Sequence, residues 1–153
     1  MIGVDDLLAL VEGQPLNDRT QAWLREGLQR SIATGAPLER ALGLTTLPGR
    51  SWRDAVRQRK AKSLVWQAAD LIPARDAWSR AKLLSAEIAS FRRYRWSRLL
   101  GLDAPPTALS DLECILLDLF GMTGGRPPES PQRLYELLTA ATDRSESTPL
   151  LSE

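Results

Sequence analysis

Signals that start and stop helices recur along this chain, while signals for strands are nearly absent. β-branched residues are few, and no stretch alternates polar with apolar as a half-buried strand must. Helical spacing is instead bounded repeatedly by a cap residue on one side and by Gly or Pro on the other. That punctuation predicts an all-α fold.

A first short helix is expected over about Asp5–Glu12, stopped by Gly13. A second follows Asn17 as N-cap, carries Leu24, Leu28 and Ile32 at helical spacing, and ends at Gly35. Pro37–Leu42 reads as a short third, with Pro in its first turn and Gly43 beyond its end. Leu47-Pro48-Gly49 is a loop. Ser51, with Asp54 three residues on, caps a fourth helix that stops near Ile72, before Pro73. A long fifth helix is expected over about Asp76–Leu100, roughly 36 Å at 1.5 Å per residue, with Gly101 and Pro105-Pro106 ending it. Ser110 and Glu113 form a capping box for a sixth helix to Phe120. Gly121 to Glu129 is a Gly/Pro loop, and Ser130 caps a last helix with Pro131 in its first position.

The expected architecture is a single compact domain of six to seven helices over residues 1–143, built around one long central helix. The polar composition of residues 144–153 predicts a disordered acidic tail.

Charge is segregated along this pattern. Residues 50–98 carry thirteen Arg or Lys and four acids, a net of +9. The first 49 residues hold four basic and six acidic side chains, and the last 55 hold three and nine. Trp52, Trp66, Trp78 and Trp96 lie in the basic block, as does the string Phe91-Arg92-Arg93-Tyr94-Arg95-Trp96. A basic, aromatic middle between acidic flanks is either a surface for a polyanion or a device by which the chain neutralises itself.

Helical wheels sharpen both possibilities. Arg53, Arg57 and Lys60 fall within about 60° of one another. Leu64, Ala68, Leu71 and Ile72 occupy nearly that sector further along the same helix, so its first half is expected to protrude and its second half to be buried. On the long helix Ala81, Leu84, Ile88, Phe91 and Leu99 form an apolar arc, with Trp78 and Trp96 at its margin. Arg92 and Arg95 fall inside that arc. A guanidinium there needs a carboxylate, a phosphate or a route to water. Asp111, Glu113 and Asp118 of the sixth helix are the candidate internal partners. Tyr94 lies off the arc between arginines, placed either to pack at the surface or to stack on a base.

Other chemistry is poorly supplied. The chain has no histidine, which removes the commonest general base and metal ligand. Asp5, Asp6 and Glu12 hint at a metal-dependent nuclease, but no matching carboxylates accompany them, and acids near a helix start are expected from the dipole. Gly121-Met122-Thr123-Gly124-Gly125-Arg126 follows a helix and lacks the Lys-Ser/Thr pair of a phosphate loop, so a flexible connector is expected. Pro37–Leu42 and the helix from Ser51 resemble a helix-turn-helix only with an overlong turn. Cys114, the one cysteine, reads as a structural thiol among Leu112, Leu116 and Leu119. No enzyme and no cofactor is implied. Apolar runs such as Leu7–Val11 and Cys114–Leu117 are too short for a bilayer, no signal peptide is evident, and a lone cysteine fits a reducing compartment, so a cytoplasmic protein is expected.

Three phrases, Ala22-Trp23-Leu24, Leu38-Glu39-Arg40-Ala41-Leu42-Gly43-Leu44 and Pro131-Gln132-Arg133-Leu134-Tyr135-Glu136-Leu137-Leu138, resemble small uncharacterised all-helical proteins of proteobacterial genomes and prophages. The resemblance implies a mobile-element protein working on nucleic acid or on a host protein, and it transfers no catalytic residue. Two functions are therefore expected. One is a non-enzymatic nucleic-acid-binding or regulatory protein contacting its partner through Arg53, Arg57, Lys60, Arg92, Arg93, Tyr94 and Arg95. The other is an adaptor or inhibitor whose segregated charge orients an acidic protein partner.

Overall fold

The expected N-caps Asn17, Ser51, Ser110 and Ser130 act where the sequence puts them. The structure, a computed structural model, describes residues 2–44, 51–100 and 108–146, with side chains as far as 140. Every regular element among them is helical. The chain divides into two compact units, Met1–Lys60 and Ala61–Glu153.

The first unit holds α1 (Val4–Val11), α2 (Asp18–Thr34), α3 (Leu38–Ala41) and the start of α4 (Trp52–Asp70). Asp6 accepts the Gly3 backbone N–H at 2.9 Å at the head of α1. Asn17 Oδ1 accepts from the Thr20 N–H at 2.8 Å, and Gly35 closes α2 at φ 70°, a left-handed conformation that favours glycine. Ser51 Oγ accepts the Asp54 N–H at 3.2 Å and starts α4.

The apolar spacing that marks α2 is only partly the face it buries: Leu24 is half-buried beside Thr20 and Gly27. Thr20 and Gly27 are buried, whereas Leu28 is exposed and Ile32 is 83% exposed. The buried face is chosen by α3. A Cβ at Gly27 would overlap the Leu42 side chain, so only glycine lets this approach occur. The Trp23 indole donates to the Leu42 carbonyl at 3.1 Å, and Arg30 donates to the Ala41 carbonyl at 2.7 Å. These bonds satisfy the orphan carbonyls at the end of α3.

The second unit holds the rest of α4, then α5 (Ala77–Phe91), a five-residue π-helical turn (Arg92–Trp96), α6 (Ser97–Leu99), α7 (Asp111–Met122) and α8 (Pro131–Glu146). The expected long helix is thus a continuous helical path over 77–99 with a change of winding inside it. Asp76 caps it, accepting the Ser79 N–H at 2.7 Å. Ala81, Leu84, Ile88 and Phe91, at i, i+3, i+7 and i+10, are buried against Leu116, Leu119 and Phe120 of α7 and Leu134 of α8. Leu64, Val65, Ala68, Ala69 and Ile72 complete this core from α4. Trp78 of α5 meets Tyr135 of α8 edge-on, ring centroids 5.7 Å apart. The α5 path is the spine of this unit, since it lies along α8 and also touches α7.

The Ser110–Glu113 box is fully formed: Ser110 Oγ accepts the Glu113 N–H at 3.2 Å, and Glu113 Oε2 accepts the Ser110 N–H at 3.0 Å. Ser130 caps α8 through the Arg133 N–H at 3.2 Å. The α8 backbone is helical to Glu146, three residues beyond the expected domain end at 143. The expected loop at Leu47-Pro48-Gly49, the stops at Gly101 and Pro105-Pro106, and the remainder of the expected tail, 147–153, lie outside the described residues.

Candidate functional site

The π turn decides what happens to the arginines of the long helix. An α turn closes its hydrogen bond four residues back and a π turn five residues back, so the π turn takes in one extra residue. On an uninterrupted α-helix Arg95 would stand about 40° from Phe91, and Trp96 about 140° away. The structure does the reverse. Trp96 and Leu99 pack against the core that Phe91 enters, and Arg95 lies outside it. Phe91 to Trp96 is a step of five, the span of one π-type hydrogen bond. The expectation that Arg92 and Arg95 lie within the apolar arc is therefore corrected for Arg95, whose place beside Phe91 is taken by Trp96; Arg92 is exposed but keeps its guanidinium over the Phe120 ring.

Phe120 of α7 fixes this geometry. Its buried ring lies 5.1 Å from the Phe91 ring and 5.2 Å from the Trp96 ring, centroid to centroid. The Arg92 guanidinium lies 5.6 Å from its centroid. Behind Trp96, a Cβ at Gly125 would approach the indole nitrogen to 3.2 Å, and Gly125 adopts φ 79°. Glycine fits both the turn and the close approach. The expected flexible connector is thus a bonded turn, with the Gly125 N–H on the Phe120 carbonyl at 2.8 Å.

Two of the arginines meet carboxylates at the surface. Arg95 Nε contacts Glu113 Oε1 at 3.1 Å, so the Glu113 carboxylate serves the α7 cap with one oxygen and Arg95 with the other. Arg92 Nη2 contacts Glu129 Oε2 at 2.9 Å. Glu113 was a candidate partner in the sequence; Glu129 was not. It belongs to the loop before α8, held by Ser85 Oγ donating to its carbonyl at 2.6 Å, and no periodicity announces such a partner. The Arg92 and Arg95 side chains keep 41% and 51% exposure. Tyr94 is 56% exposed. The Arg93 guanidinium lies 5.4 Å from its ring centroid, and among the described residues Arg93 has no ion pair. Arg92, Arg93, Tyr94 and Arg95 are all exposed on this turn.

The other basic stripe has a different fate. Arg53 pairs with Glu39, Arg59 with Asp5 at 2.6 Å, and Lys60 with Glu12. The first half of α4 is therefore not a bare protruding rod. Val56 is buried within it, and its cations draw acids from α1 and α3 onto the helix. Arg57 is exposed and has no ion pair among the described residues. Leu71, expected in the buried sector of α4, is exposed. Arg53, Arg57 and Lys60 belong to the first unit and Arg92–Arg95 to the second.

The remaining candidates resolve simply. Asp5, Asp6 and Glu12, the acids of the nuclease alternative, are occupied by Arg59, the Gly3 N–H and Lys60. Among the described residues no group of three or more His, Cys, Asp or Glu side chains is placed to hold a metal ion. Cys114 is exposed rather than packed among the inward leucines. Among the described residues no helix is long and apolar enough to cross a membrane. The Ser79 backbone N–H, then its hydroxyl, hold the Asp76 carboxyl below the ordinary aspartate value.

Comparison with family models, with curated proteins and with solved structures finds no match to this chain.

Proposed function

We propose that the protein is a non-enzymatic nucleic-acid-binding protein whose contact surface is the π turn, Arg92–Arg95. The observation that carries this reading is the π turn itself, on which three arginines and a tyrosine in succession are all exposed. π turns inserted in α-helices are frequent at functional sites. The pairs with Glu113 and Glu129 do not forbid phosphate binding. Exposed pairs of this kind contribute about 0–1 kcal/mol, so a phosphate can replace the carboxylate at small cost. The reading narrows the expected contact set. Arg53 and Lys60 serve the fold of the first unit, and Arg57 is the member of that stripe with no ion pair among the described residues. The lone thiol fits a protein acting in the reducing cytoplasm.

The test is binding of labelled random-sequence DNA and RNA to the full chain across a salt series. The proposal expects affinity to fall with salt, and expects Arg93→Ala to weaken binding and make the slope shallower by about 0.7–0.9 for a lost phosphate contact. Absence of binding at low salt rejects it.

One observation favours the second reading, a protein-interaction module. Leu28 and Ile32 present an apolar edge of α2 that the first unit does not cover. If that edge is the working surface, Ile32→Glu abolishes partner capture while leaving the nucleic-acid assay unchanged.

A further inference from the structure

We infer that the π turn selects single-stranded over double-stranded nucleic acid, by stacking one unpaired base on Tyr94. This rests on the nucleic-acid reading above and adds the class of ligand.

The inference follows from which aromatic ring the turn leaves open. Trp96 is committed to Phe120 and Gly125, and Phe91 is buried, so neither ring offers a face to a ligand. Tyr94 is the aromatic ring of the turn that stays mostly in solvent. The bases of a duplex have their faces covered by their neighbours, whereas an unpaired base can be splayed onto an aromatic ring. Stacking on a ring needs no particular base, because every base has a π-face.

The cations around the ring suit the same ligand. Arg93 already lies against the Tyr94 ring, which orders the aromatic side chain before a base arrives. Arg92 and Arg95 lie on the same turn, each holding an exposed carboxylate that a backbone phosphate can replace. A strand that lays one base on Tyr94 can exchange its phosphates for Glu129 and Glu113. A duplex can make the phosphate contacts but not the stack. The site therefore accommodates one base and a few phosphates, and sequence preference should be slight.

The test uses fluorescence anisotropy with the full chain at low salt. The probes are a twelve-nucleotide oligo-dT, oligo-U of the same length, a mixed-sequence duplex, and an abasic strand of the same charge. Tyr94 is exposed, so Tyr94→Leu and Tyr94→Phe should keep the parent's circular dichroism spectrum. The expected result is tighter binding to oligo-dT than to the duplex or the abasic strand. Tyr94→Leu should weaken oligo-dT binding by about tenfold, a change within the range of one base–aromatic stack. Tyr94→Phe should retain it, and Tyr94→Leu should leave duplex and abasic binding unchanged. Comparison of oligo-dT with oligo-U separates DNA from RNA as the preferred strand. Equal binding to all probes, with Tyr94→Leu matching Tyr94→Phe, overturns the stacking inference and leaves the nucleic-acid reading intact. No binding to any probe overturns both.

Discussion

Two segments of this chain carry nearly the same kind of charge and come to opposite ends. In α4, Arg53, Arg59 and Lys60 lie on an uninterrupted helix and are met by acids of the preceding elements, Glu39, Asp5 and Glu12. In the Arg92–Trp96 turn the winding changes, and an α register that would aim arginine at the core aims tryptophan there instead. The first segment uses charge to bring its own chain together. The second displays charge because the alternative is a guanidinium among buried phenyl rings. In sequence both read as basic and aromatic; the period of the helix separates them.

That account can be broken at the ring that fixes the turn. Phe120→Ala removes the buried partner of Phe91, Trp96 and Arg92, and should cost about 3–5 kcal/mol by urea denaturation. A loss under about 1 kcal/mol would mean that the turn is held by something else. The paired stripe is the next point to press. Lys60→Ala should cost about 1 kcal/mol, since Lys60 and Glu12 are each only 27% exposed, while Arg57→Ala, at an exposed residue with no ion pair among the described residues, should stay within about 0.5 kcal/mol. Equal effects would erase the contrast between pairing and display.

At the π turn, Arg95→Ala should cost well under 1 kcal/mol because the pair with Glu113 is open to solvent. A loss of 3–5 kcal/mol is what a buried pair would produce, and it would contradict the outward rotation. The smallest effect is expected at the other end of the same helical path. The Asp76 carboxyl is held below its ordinary value by the Ser79 N–H, so its folded pKa lies below its unfolded one. Its contribution to stability is complete above the unfolded value and is lost as pH falls through the folded one. Comparing acid denaturation of the parent with Asp76→Ala checks this. The two curves should converge at the acid end, and a constant gap at every pH would show that the carboxylate is not responsible.

Much of the fold was legible because caps are local. Asn17 with Gly35, Ser110 with Glu113, and Ser130 with Pro131 each declare a helix end within a few residues, and each acts in the structure. What was not legible depends on contacts between elements. The apolar spacing Leu24, Leu28, Ile32 identifies α2 as a helix, but Gly27 and the α3 segment choose its buried face. The candidate site was half visible. The arginines and Tyr94 stand out in composition, but a wheel drawn at constant pitch places Arg95 inward. The available clue was the five-residue step between two core aromatics, Phe91 and Trp96, followed by Leu99 three residues on. Glu129 was invisible for a different reason: a loop residue is positioned by its surroundings, here by Ser85, rather than by any period.

The register of the 91–96 turn is tested most directly by removing one residue from it. Deleting Arg93 places Trp96 four positions after Phe91, so a plain α turn would keep both rings on Phe120. Deleting Ala86 instead shifts Ile88, Phe91 and everything after them by one position on an uninterrupted helix. Thermal unfolding of the two deletion variants beside the parent compares them. The account predicts a cooperative transition near the parent's melting temperature for the Arg93 deletion, and loss of that transition for the Ala86 deletion. Equal damage from both deletions would show that the turn is not a one-residue insertion in an otherwise regular helix, and the explanation for the displayed arginines would fall with it.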